Sequence, residues 1–297
     1  MTTSGLLLID KASGPTSHDV VARVRRALTE RRVGHAGTLD PMATGLLLIA
    51  VGPATRLLRF AQVTTKRYSG EVTLGVATDS LDADGAVVKT APVPALDAPT
   101  VADAAAGLTG TILQRAPMVS ARRVGGERLH VLARRGLEVE RPAREVVIDR
   151  FALEPTGDPA RWRFTVTCST GTYVRVLVAE LAERLGTVGH LSVLRREASG
   201  ARRVDEARTI EAFEADVAAG RPGLEPTSAL VASLERVVFD EEGVRRLRQG
   251  QRVPGEARTG EVAVLDGAGE LVAVAECVEG LYRPVVVLAT GADGRDG

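Results

Sequence analysis

The chain has 297 residues, of which 44% are hydrophobic and 26% charged, with a formal net charge of zero; it is long enough for a large core and two domains, and its composition is that of an ordinary globular protein. No apolar run approaches the ~20 residues of a membrane span, and Met1 to Lys11 has neither the basic start nor the apolar length of a signal peptide, so the expected location is the cytoplasm. The two cysteines, Cys168 and Cys277, are too few and too far apart for a disulfide framework or a zinc site, and the charge is uneven: residues 204–297 hold 10 Arg against 18 Asp and Glu, so the first 203 carry a surplus of about eight positive charges, which is compatible with a nucleic-acid-binding body and an acidic tail region.

In chain order, Gly5–Asp10 reads as a short buried strand and Lys11–Ser17 as a turn, with Ser17 placed to cap the helix that follows. From His18 to about Glu30, Val20, Val21, Val24, Ala27 and Leu28 recur at helical spacing, with Arg23, Arg25 and Arg26 mostly elsewhere. The next stretch, GHAGTLDPMATGLLLIAVG over Gly34–Gly52, changes character midway. Its first part is loop chemistry; Gly45–Val51 is a near-continuous apolar run that suits a strand buried on both faces, with a buried helix as the alternative by pattern alone. Asp40 precedes Pro41, and a residue before proline is pushed out of the helical region. A carboxylate is thereby held on a stiffened loop at the lip of a core element. Ala54–Gln62 reads as a short helix, and Tyr68–Val76 alternates as a strand.

The ordered blocks Lys11…Gly14-Pro15-Thr16-Ser17, then GHAGTLDPMATG over Gly34–Gly45, then Lys66-Arg67-Tyr68 resemble the successive signatures of the bacterial tRNA pseudouridine-55 synthases of the TruB type. The resemblance implies that Asp40 is the catalytic nucleophile, that Tyr68 is the active-site tyrosine, that Lys11 belongs with the substrate-binding residues, and that His35 contacts the RNA loop where the target base has left the stack. Thr78–Gly85 mimics part of a calcium loop, but Ser80 would stand at its first ligand position and Ala91 at its twelfth, so it is read as an acidic turn. Ala91–Pro99 is a Pro/Ala-rich connection, and Thr100–Leu108 is an Ala-rich helix.

Residues 115–150 are the most basic segment, with nine Arg against five Asp and Glu. Arg115, Arg122, Arg123, Arg128, Arg134 and Arg135 carry most of that charge, with a Gly125-Gly126 turn among them, and guanidinium forks suit phosphate. The segment resembles the family's RNA-binding region with three departures: Ala116-Pro117 for Pro-Pro, Arg123 for Lys and His130 for Tyr. Arg144–Leu153 and Arg161–Ser169 read as paired strands. Cys168, read as a small buried hydrophobe, opens CSTGTYVR over Cys168–Arg175, followed by a helix through Leu177, Leu181 and Leu185 and stopped at Gly186. This block also matches the family. It implies that Arg175 pairs with the catalytic aspartate and lowers its pKa, and that Tyr173 and Leu194 line the uracil pocket. Thr209–Ala219 reads as a surface helix and Gly220–Pro226 as a linker. A helix at Glu241–Gln249 and strands at Glu261–Leu265, Leu271–Cys277 and Pro284–Leu288 follow.

The resemblance implies an α+β fold, with the mixed or antiparallel sheet of pseudouridine synthases flanked by helices and a small β-rich PUA-like C-terminal barrel. The expected division is a catalytic domain over 1–230, an RNA-binding domain over 231–290 and a frayed tail over 291–297. The expected activity is isomerisation of uridine-55 in the tRNA T-loop with the base flipped out, by a monomer needing no metal, cofactor or protein partner. Two other readings stay open: a non-catalytic RNA-binding or tRNA-folding protein on the same scaffold, and a pseudouridine synthase acting on other RNA, alone or with a guide RNA and proteins.

Overall fold

The computed structural model describes residues 4–62, 65–118, 137 and 139–288, and the backbone of 123–124 and 127–128. In chain order the first elements are β1 (Gly5–Lys11), α1 (Ser17–Leu28), β2 (Val33–Ala36) and β3 (Thr44–Val51). Next come α2 (Leu58–Gln62), β4 (Lys66–Leu74), β5 (Val76–Thr78), β6 (Val87–Thr90), α3 (Ala98–Ala106) and β7 (Gly110–Gln114). The two-residue strands β8 (Arg123–Val124) and β9 (Glu127–Arg128) pair with each other. Then follow β10 (Arg144–Pro155), β11 (Arg161–Cys168), α4 (Val174–Arg184), β12 (Gly189–Ser199), β13 (Arg202–Arg203) and α5 (Ile210–Ala218). The chain ends with β14 (Glu235–Val238), α6 (Glu241–Arg248), β15 (Val253–Pro254), β16 (Gly260–Leu265), β17 (Leu271–Val278) and β18 (Leu281–Val287). Arg122, His130, Arg134 and Arg135 lie outside the described residues, as do the side chains of Arg123 and Arg128 and the Gly125-Gly126 turn.

The large sheet runs β1-β3-β12-β4-β11-β10-β7, with β2 beside β3 and β13 beside β12. It is antiparallel except for β3 and β12. β1 occupies one edge of β3 along its whole length. The other edge is shared: β2 takes Leu48–Val51, and β12 takes Thr44 and Gly45. The chain between β2 and β3 emerges where one partner ends and the next begins, and Asp40 sits there.

β3 is buried on both faces, as its unbroken apolar run requires. Leu47, Ile49 and Val51 face Val20, Val24 and Phe213 of α1 and α5. Leu46, Leu48 and Ala50 share a second cluster with Leu57, Leu230, Ala263, Val274 and Val286, so the C-terminal unit packs on the opposite face. A third cluster joins Tyr68, Val72, Phe164, Leu177 and Leu181 beneath α3 and α4. The C-terminal strands form a five-stranded sheet, β14-β16-β17-β18-β15, with Val244 and Leu247 of α6 in its core. The fold is thus α+β, with the β-rich C-terminal unit its sequence suggests.

Several local expectations change. Thr16, not Ser17, caps α1, in a reciprocal capping box with Asp19. Helix α5 lies on the surface as expected, with Ile210 and Phe213 buried beneath it and Arg23 forking onto Glu214 across the α1 interface. Residues 220–226 are not a free linker, because Glu225 pairs through its backbone with Leu6 of β1. Among the described residues no helix is long and apolar enough to cross a membrane.

Candidate active site

Asp40 is fixed from behind by the segment after β1. The buried ammonium of Lys11 donates to the carbonyls of Ala12, Pro15 and Pro41 at 2.8, 2.8 and 3.1 Å. Gly14 N–H donates to the same Pro41 carbonyl. The Ser17 hydroxyl donates to the Leu39 carbonyl at 3.1 Å and accepts from the Leu39 N–H at 2.9 Å. Released from capping by Thr16, Ser17 is free for this inward role. Lys11 is 1% exposed and does not line the cavity. It positions the loop and is not placed to touch substrate, because its ammonium is turned onto three backbone carbonyls. Burial lowers its pKa to about 8.

The front of Asp40 meets Arg175, the second residue of α4. Arg175 Nη2 donates to Asp40 Oδ1 at 3.1 Å, and Nε lies 3.0 Å from Oδ2. The same guanidinium reaches Asp82 through Nη1 at 3.1 Å and the Ser80 carbonyl at 2.7 Å. Asp82 was legible only as part of an acidic turn. It is buried, accepts from Ser80 Oγ and Asp84 N–H, and is the second counter-ion of Arg175. The signal that could have found it is the density of carboxylates in Asp79–Asp84, which no cation nearby in sequence balances.

Arg175 acts on the Asp40 pKa in the expected direction but is outweighed. Burial raises the Asp40 carboxyl above its ordinary value; Arg175 opposes this, and the neighbouring Asp82 charge adds to it. The side chain keeps 34% exposure, toward the cavity it lines, and desolvation of the rest outweighs a cation that must serve two carboxylates.

That cavity, about 310 Å³, is floored by β4 and β12 and walled by the Asp40 loop and the start of α4. Tyr68 and Leu194 contribute from paired strands, Leu194 opposite Gly70. Tyr68 is buried, which raises its hydroxyl pKa, while the adjacent Arg196 works the other way. Tyr173 stands at the N-cap of α4, its N–H donating to the buried Gln114 Oε1 at 3.0 Å and its carbonyl accepting from Gln114 Nε2 at 3.4 Å. Asp40, Tyr68, Tyr173, Arg175 and Leu194 are therefore brought together from four segments. Lys66 and Arg196 join them, and neither was singled out as a site residue by its position in the sequence. His35 does not line the cavity. It lies on β2 beside His18, ring centroids 5.4 Å apart, and burial lowers its pKa, favouring the neutral ring. Its Nδ1 is buried with no hydrogen-bond partner among the described residues.

Residues 25–174 match the model of the TruB family pseudouridylate synthase N-terminal domain. A tRNA pseudouridine synthase B of Thermobifida fusca is 40% identical over 293 residues, covering 96% of this chain and 98% of that protein. The chain belongs to the TruB family. A TruB-family relative named tRNA pseudouridine synthase B from Nocardia farcinica is 41% identical over 287 residues, 96% of this chain and 93% of that protein. The relative of that name from Geobacillus kaustophilus is 45% identical over 241 residues, 79% and 83%. Among solved structures, a Cbf5-Nop10-Gar1 complex contains a chain that superposes with TM-score 0.73 at 24% identity, over 96% of this chain and 84% of that one. At that identity the likeness concerns the fold. Asp40, Tyr68 and Tyr173 fall inside the family-matched span, whereas Arg175 directly follows it and Leu194 lies further on.

Proposed function

We propose that this TruB-family chain isomerises uridine-55 in the T-loop of tRNA to pseudouridine, as a monomer in the cytoplasm, without metal, organic cofactor or protein partner. The observation that carries the reading is one carboxylate, Asp40, gripped through both oxygens by Arg175 at the wall of a cavity lined by Tyr68, Tyr173 and Leu194. The reaction breaks the bond between N1 and the sugar carbon C1′, turns the detached base and joins C5 to C1′. The proton lost from C5 equals the one gained at N1, so nothing is oxidised and no group is carried in. Ionised Asp40 meets the electron-poor C1′ as nucleophile. Tyr68 packs on the uracil, and its hydroxyl helps relay the C5 proton away late in the reaction, giving up its own proton as it takes that one; Tyr173 and Leu194 keep the free base from leaving. The target base must first leave its stack, at a cost of a few kcal/mol. His35 entering the vacated space and the Arg-rich segment 115–150 holding phosphates offset that cost.

Purified protein incubated with unmodified tRNA, in chelator and without added cofactor, is expected to form pseudouridine at the T-loop uridine alone. Asp40→Asn is expected to bind the tRNA and leave it unchanged. Conversion by that variant, or modification elsewhere in the tRNA, overturns the assignment. A non-catalytic tRNA-folding protein would bind equally well with either residue and modify nothing.

A further inference from the structure

Arg196 is the largest fully buried side chain among the described residues, at 1% exposure, and it lines the same cavity as Asp40. Its Nε donates to the Leu46 carbonyl at 2.6 Å and Nη2 to the Gly37 carbonyl at 3.2 Å. Those carbonyls flank the loop that carries Asp40. No carboxylate pairs with Arg196 among the described residues; Asp40 and Asp82 both turn to Arg175. Bonds to two neutral carbonyls satisfy donors but leave the charge uncompensated. A buried, uncompensated cation is costly, and a fold that needed only to tie a loop could do so with a neutral donor. Lys66 adds a second cation beside it, its Nζ donating to Ser199 Oγ at 2.7 Å. Gly171–Val174, at the N-terminal end of α4, line the same space, and the helix dipole there is also positive. The cavity that holds Asp40 therefore also has an electropositive lining.

We propose that Arg196 is a catalytic residue whose guanidinium stabilises the negative charge the uracil acquires as its bond to the sugar breaks. The role rests on the pseudouridine synthase activity proposed above. When N1–C1′ breaks, both bonding electrons stay with the base, which becomes an anion with charge on N1 and its carbonyl oxygens, while C1′ is left electron-poor before Asp40. The same electron pair is returned when C5 bonds to C1′, so the anion exists only between the two bonded states. A preorganised cation facing the base and absent from the Asp40 ion pair lowers the energy of that interval without cost in reorganisation.

The test compares two substrates: tRNA with uridine at the target position and the same tRNA with 5-fluorouridine. Fluorine at C5 stabilises the uracil anion by itself. Single-turnover loss of the N-linked nucleoside is followed with wild type, Arg196→Gln and Arg196→Lys, alongside tRNA Kd and a thermal melt. Arg196→Gln is expected to slow uridine by about 100-fold with little change in Kd, and the ratio of fluorinated to natural rate is expected to rise about tenfold over that of wild type. Arg196→Lys, which keeps the charge but not the fork, is expected to show a smaller loss with rescue in the same direction. Equal slowing of both substrates would mean that Arg196 only ties the loop, and an unchanged uridine rate would remove any role; either outcome sinks the proposal. If Arg196→Gln does not fold, the rate ratio in Arg196→Lys decides alone. A wild-type protein that leaves both tRNAs untouched overturns the activity itself, and this role with it.

Discussion

One guanidinium serving two carboxylates sets the behaviour of Asp40. Arg175 bonds both oxygens of Asp40 and also Asp82, so one cation is shared between two carboxyl groups. Removing the cation leaves two carboxylates facing each other, and like charges suppress ionisation. Arg175→Ala is expected to cut turnover by more than about 100-fold. It should also move the acid limb of the pH–rate profile upward, because ionised Asp40 is the active form and its pKa rises further. A full-rate variant, or a profile shifted to lower pH, would refute the pairing as the source of activity. Ser17 acts at one remove. Its buried hydroxyl closes two bonds on Leu39, the residue before Asp40. Ser17→Ala leaves a buried N–H and carbonyl unpaired, at about 1–3 kcal/mol. The expected reading is a lower urea midpoint and a lower single-turnover rate with unchanged tRNA Kd; a weakened Kd at unchanged rate would contradict a positioning role.

Among the elements, the strand pair β3–β12 packs too closely at Gly45 to admit a side chain. Gly45 has φ of +102°, and a Cβ there would stand 2.4 Å from the Arg196 carbonyl oxygen. Both the backbone conformation and the close approach demand glycine. Gly45→Ala is expected to destabilise the protein by more than about 2 kcal/mol and to lose activity with it, since the clash pushes β12, and so Leu194 and Arg196, away from the Asp40 loop. Stability equal to wild type in a denaturant titration would refute this. The two strands were unequally legible. β3 announces itself by an unbroken apolar run, because both faces are buried. β12 does not, because irregular register between Leu191 and Val193, and again between Arg196 and Ala198, spoils its alternation, and charged residues occupy its middle.

Across the whole molecule, the acidic C-terminal region is not an appended module hanging free. Ala263, Val274, Val286 and Leu288 share a buried cluster with Leu6 and Leu8 of β1, with Phe60 of α2 and with Leu57 just before it. A chain cut after residue 230 exposes that apolar face. It is expected to melt at lower temperature than the full chain and to bind a hydrophobic dye; an unchanged melting temperature would show the contact to be energetically idle. Buried lysine also ties stability to pH. Burial lowers Lys66 from 10.5 to about 8. Between those values the unfolded chain holds the proton and the folded chain does not, so this group makes stability rise with pH across that window. Cys168, pushed up to about 11 by burial, pulls the opposite way. The difference between wild type and Lys66→Met isolates the lysine: the stability advantage of the variant should shrink as pH rises from 8 toward 10. An advantage that stays constant would mean that Lys66 keeps its proton when folded.

Alone, the sequence determined the carboxylate on its proline-stiffened loop, a buried core element behind it and the family resemblance, which implied the α+β class, because these are written in contiguous residues with a period or a motif. It also placed Tyr68, Tyr173, Arg175 and Leu194 as site candidates through that resemblance. The tertiary structure decided what surrounds Asp40: Asp82 as the second partner of Arg175, Ser17 and Lys11 as supports from behind, and Arg196 as a buried cation lining the same cavity. Those roles come from strands and turns that meet only when the sheet assembles. It also decided the direction of the Asp40 pKa, because desolvation depends on everything packed around a carboxylate and not on its partner alone.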